Sequence, residues 1–111
     1  MSLKNRHNGV GLRFDNYPND LKKFYWVLAK EGCHPKAADR ILDRIRVKGY
    51  DLLTVMSHLN FDWIIRELST IGVVVTLIEP LEGWVGYKFD DGAWPQEVLD
   101  EVFKNRNIRN L

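Results

Sequence analysis

Residues 57–79, SHLNFDWIIRELSTIGVVVTLIE, contain the clearest change of hydrophobic period in the chain. Phe61, Ile64, Ile65, Leu68 and Ile71 recur at spacings of three and four, which predicts one apolar stripe along a helix of about four turns. Ser57 is placed to accept a free amide of the first turn, and Gly72 follows the last stripe residue, where a left-handed cap meets no side-chain clash. Val73, Val74, Val75, Thr76, Leu77 and Ile78 then run apolar and mostly β-branched up to Pro80, which predicts a strand. Apolar on both sides, that strand is expected to be covered on both faces and to lie centrally in a sheet.

The rest of the chain supplies its neighbours. Val10, Leu12 and Phe14 alternate with Gly11 and Arg13, the pattern of a half-buried strand. After DNYPND, with Asn19 or Asp20 as cap, Leu21, Phe24, Tyr25 and Leu28 fall at i, i+3, i+4 and i+7 of a helix that Gly32 stops. Pro35 opens a second helix, for its missing amide proton costs nothing at the first helical position. Ala37, Ala38, Ile41, Leu42 and Ile45 form its inner face, and Gly49 ends it. YDLLTVM, at 50–56, reads as a short strand or an irregular crossing. Beyond PLEG, Trp84, Gly86 and Lys88 alternate with Val85, Tyr87 and Phe89, which predicts a strand hairpinned to 73–79. Pro95 then opens a short last helix with Val98, Leu99, Val102 and Phe103 inside.

The fold expected is α+β: a small, mainly antiparallel sheet of three to four strands packed against three helices, with an added C-terminal hairpin strand and short helix. Residues 1–8 read as a flexible arm, 9–104 as a single domain and 105–111 as a frayed tail. A chain of 111 residues is long enough to bury a core without disulfides or a structural metal. The single Cys33 cannot form an internal disulfide, which favours a reducing compartment and a cytoplasmic location. No stretch approaches the roughly 20 apolar residues of a membrane span, so no membrane association is expected.

Charge changes the picture more than composition does. Residues 1–50 hold eleven Lys and Arg against five Asp and Glu, and residues 51–111 hold five against ten. Such a division marks either a nucleic-acid-facing half beside an acidic half, or two surfaces that meet and neutralise each other. On the second helix Lys36, Arg40, Arg44 and Lys48 sit four apart and stack into one basic stripe, with Arg46 to one side and Asp39 and Asp43 beside it. The stripe fits a phosphate contact, a protein contact or a solvated face. Trp84, Tyr87, Phe89 and Trp94 fall within eleven residues, and Trp63 lies at the margin of its helix's apolar stripe. Those aromatics serve either as core or as partner anchors.

Catalytic and metal chemistry find little support. Cys33 and His34 are adjacent in a turn, where two side chains rarely face each other as a nucleophile pair must, and one such pair does not make a zinc site. GVG at 9–11 precedes a strand instead of opening a helix, so it is not a phosphate loop, and Asp90 and Asp91 suit a turn. No enzyme, metal or cofactor is expected.

The order strand, helix, helix, short crossing, helix, strand over residues 9–79 resembles the C-terminal domain of the bacterial ribosomal stalk protein. It is similar also to the related Clp-protease adaptor that recognises N-terminal degrons. The closest parallels are PKAADRILDRI for the stalk domain's second helix, and Ser57 through Gly72 followed by VVVTL for its last helix and strand. The resemblance implies a positively charged docking surface on the second helix and the turn after it, at Arg40, Arg44, Arg46 and Lys48. GCHP stands where that family has a glycine-rich loop. The adaptor's Asn-Asp-Asp motif reads here Asp15-Asn16-Tyr17, and Arg46 replaces its His.

The function expected is a non-catalytic protein-protein interaction module, of adaptor or inhibitor type. It would dock another protein through the basic helix (Lys36, Arg40, Arg44, Arg46, Lys48), through an aromatic, acidic C-terminal surface (Trp63, Trp84, Tyr87, Trp94), or through both. The alternative is a nucleic-acid binder using the basic helix and the N-terminal arm. An uncovered sheet edge would also invite a homodimer.

Overall fold

The computed structural model describes residues 9–55, 59–80 and 94–105. In chain order these form β1 (Val10–Asp15), α1 (Leu21–Lys30), α2 (Pro35–Lys48), β2 (Tyr50–Val55), α3 (Phe61–Ser69), β3 (Val74–Ile78) and α4 (Gln96–Asn105). The strands make an antiparallel sheet in the order β2-β1-β3. The expected α+β class with an antiparallel sheet of three strands is therefore present. The hairpin strand read over 84–89, the N-terminal arm and the tail lie outside the described residues.

Local chemistry explains most of the boundaries. The Asp20 carboxylate accepts from the Lys23 amide at 3.0 Å and starts α1. Pro35 stands at the start of α2, and the cap before it is His34, whose Nδ1 accepts from the Lys36 amide at 3.0 Å. Gly49, at φ 90°, turns the chain out of α2 and straight into β2. Residues 50–55 thus form a strand, the first of the two readings offered for them.

Two expectations need correction. The third helix starts at Phe61, not near Ser57, because the Asn60 side chain caps it by accepting from the Trp63 amide at 3.1 Å. It also ends at Ser69, so Ile71 is buried beyond the helix, and Gly72 supplies the left-handed residue at φ 89°. The apolar strand is covered on one face only. Val75 is buried, whereas Val74, on the opposite face, is 51% exposed. Among the described residues it is β1 that has two neighbours, and β3 pairs with β1 alone. A run of β-branched residues carries no mark of which face stays open, so its sequence reads as doubly covered.

The register sets what lies under the helices. Leu12 stands opposite Leu53 and Leu77, and Phe14 opposite Asp51 and Val75. Leu12, Phe14, Leu53 and Val75 form one buried row set, against which Phe24 and Leu28 of α1, Ile41 and Ile45 of α2, and Ile64 and Leu68 of α3 pack. Asp51 shares that face. Gly11 lets β1 and β3 approach closely: a Cβ there would lie 2.7 Å from both the Ile78 carbonyl oxygen and Ile78 Cγ1.

Candidate functional site

α2 is amphipathic in the strict sense that its two sides do different work. Ala38, Ile41, Leu42 and Ile45 are buried, and Lys36, Arg40, Arg44, Arg46 and Lys48 are all exposed. Lys36, Arg40, Arg44 and Lys48 follow the four-residue ridge of the helix, which brings the basic residues named from the sequence together in one row. Val47 was not named, yet it is 73% exposed and stands on the same outer side, seven residues after Arg40. An apolar residue that falls off the inner period of an otherwise clear amphipathic helix is the sequence signal that points to it.

The charges beside the row are engaged within the fold. The Tyr25 hydroxyl donates to the Asp39 carboxylate, and Arg46 pairs with Asp43. Arg46 offsets the charge of Asp43, which leaves Asp39 against the four cations of the row. At its foot Asp51 is only 4% exposed, with Oδ1 4.0 Å from Arg44 Nη1. Burial pushes the Asp51 carboxyl above its ordinary range; Arg44, the Leu52 backbone amide, Lys48 and Arg40 pull the other way. Asp51 thus lies buried beneath Arg44, where α2 packs on β2.

The two oppositely charged halves of the chain meet in part. Lys23 pairs with Glu67 at 3.2 Å, and Arg44 faces Asp51. Lys36 and Lys48 have no ion pair among the described residues. On the side of α2 that faces α1 a shallow cleft of about 240 Å³ is lined by Tyr17, Leu21, Tyr25, Asp39, Leu42, Asp43 and Arg46.

Comparison with family models, curated proteins and solved structures finds no match. The aromatic residues named from the sequence are placed as follows. Trp63 is half-buried and meets Trp26 edge-on at 5.8 Å. Trp94 is half-buried as well: its backbone amide donates to the Ala29 carbonyl at 3.0 Å, its indole Nε1 to the Gly32 carbonyl at 3.1 Å, and its ring meets His34 at 4.8 Å. Both are occupied inside the chain, and Trp94 ties the C-terminal segment to the α1–α2 turn. Trp84 and Tyr87 lie outside the described residues.

The Cys33 and His34 side chains diverge. The Cys33 thiol is buried, donates to the His34 carbonyl at 3.6 Å and is pushed up to about 12 by that burial, while the His34 ring turns to the Lys36 amide and Trp94. Among the described residues no group of three or more His, Cys, Asp and Glu is arranged to hold a metal, and no helix is long and apolar enough to cross a membrane.

Proposed function

We propose that this chain is a non-catalytic module, acting in the cytoplasm, that docks another protein through the outer face of α2. The observation that carries the reading is the exposed basic row with Val47 at its C-terminal end. A valine 73% exposed, with Arg44 and Lys48 as neighbours on the helix surface, offers a partner both charge and an apolar contact. The resemblance of residues 9–79 to the ribosomal stalk domain, itself part of the proposal, puts docking on the corresponding helix and the turn after it.

A nucleic-acid surface is the second reading, and the spacing of Lys36, Arg40, Arg44 and Lys48 is what favours it. Phosphate, however, gives Val47 no apolar contact. The two readings separate experimentally. A photo-crosslinking residue at position 47, with a control at Val74 on the sheet, should capture one discrete protein from extract. Lys36→Glu together with Arg40→Glu should remove the adduct. An adduct destroyed by nuclease, or equal capture at both positions, would overturn the docking reading.

A further inference from the structure

The outer face of α2 is laid out in three strips. Val47 stands in the middle, four residues after Asp43 and seven after Arg40, and is the most exposed large apolar residue of the described chain. On one flank run Arg40, Arg44 and Lys48, all exposed. On the other are Asp39 and Asp43, already engaged by the Tyr25 hydroxyl and by Arg46. The charge offered outward is therefore positive and lies along one side of an apolar spot.

The repeat of that row constrains what can sit on it. Four residues of α-helix rise about 6 Å, so the row from Lys36 to Lys48 has three intervals of about 6 Å each. A second helix bearing acids every fourth residue has the same repeat, and its ridge packs against that of α2. An extended strand places side chains on one face about 6.6–6.8 Å apart and drifts out of step by about 2 Å over three intervals. Nucleic-acid phosphates match the charge but bring no apolar group to Val47. We propose, resting on the docking reading above, that the ligand of this face is an acidic amphipathic helix of another protein. It carries Asp or Glu at four-residue intervals along one edge and a neighbouring apolar residue that packs on Val47.

The test uses two synthetic, dye-labelled peptides of one composition. In one, Glu recurs every fourth residue beside a Leu strip; in the other the same residues are shuffled to destroy any helical face. Polarisation titrations are run in parallel with single-stranded and duplex DNA. The patterned peptide should bind at least about tenfold more tightly than the shuffled one and become more helical on binding. Val47→Ser should weaken it several-fold, and Lys36→Glu with Arg40→Glu should abolish it. These two positions are chosen because a Glu in place of Arg44 would face the buried carboxyl of Asp51. Circular dichroism verifies that each variant stays folded. Equal binding of both peptides would overturn the helical ligand while leaving a charge-driven protein contact. Failure of the patterned peptide would overturn it too, and crosslinking at position 47 then decides the docking reading separately. DNA binding tighter than either peptide, and unmoved by Val47→Ser, would overturn both.

Discussion

The inner and outer faces of α2 are built from one stretch of sequence and answer to different physics. Inside, Ala38, Ile41 and Ile45 are almost fully removed from water and packed against the sheet. Outside, Lys36, Arg40, Val47 and Lys48 are exposed, so what they contribute to folding is small, while Arg44 faces the buried Asp51. The helix therefore separates stability from recognition: changes on one side should cost the fold, and changes on the other should cost only the partner.

The largest test of that separation is Ile41→Ala. Ile41 is fully buried, and the cavity left should cost about 2–5 kcal/mol, read as a lower urea midpoint. A loss below about 1 kcal/mol would mean the inner face is not the packed core described. Next in size is Gly11→Ala in the strand beneath, where the new methyl meets the Ile78 and Glu79 carbonyl oxygens at 2.7 and 2.9 Å. Forcing the β1–β3 pair apart should cost about 1–3 kcal/mol, and a neutral result would contradict that register.

Asp51 stands where the two faces meet, and its effect is one of pH. Burial raises its carboxyl in the folded chain, against the pull of Arg44, the Leu52 amide, Lys48 and Arg40. Stabilisation from the protonated form is fully present below the unfolded carboxylate range and is lost as pH rises through the raised folded value. The wild type should thus gain stability relative to Asp51→Asn as pH falls from neutrality through that window. A gap that moved the other way would show that attraction to Arg44 outweighs desolvation. The smallest effect belongs to the outer face: Lys36→Glu with Arg40→Glu should change thermal stability by less than about 0.5 kcal/mol. A larger loss would erase the distinction between the faces.

Much of this arrangement is readable before folding. Asp20, Pro35 and the left-handed glycines at 32 and 49 mark helix ends through backbone chemistry that acts locally, so α1, α2 and the turn into β2 lie where the sequence places them. α3 is misjudged at its start because Ser57 and Asn60 are both competent caps, and sequence alone does not say that Asn60 is the one reaching an amide. β3 is misjudged because Val74 and Val75 look alike on paper, while only Val75 lies under a helix. The basic row is legible from its four-residue spacing. Tertiary placement decides the rest: that Val47 has no cover, that Asp51 falls on the covered face opposite Phe14, and that Trp63 and Trp94 spend their edges and donors inside the chain.

The most direct test of the outer face as the recognition surface is an amide shift map recorded while the patterned acidic peptide is titrated in. Shifts should concentrate on Lys36, Arg40, Asp43, Arg44, Val47 and Lys48 and vanish in the Lys36→Glu, Arg40→Glu protein. Shifts centred instead on the open sheet face around Arg13 and Val74, or on α4, would contradict the account.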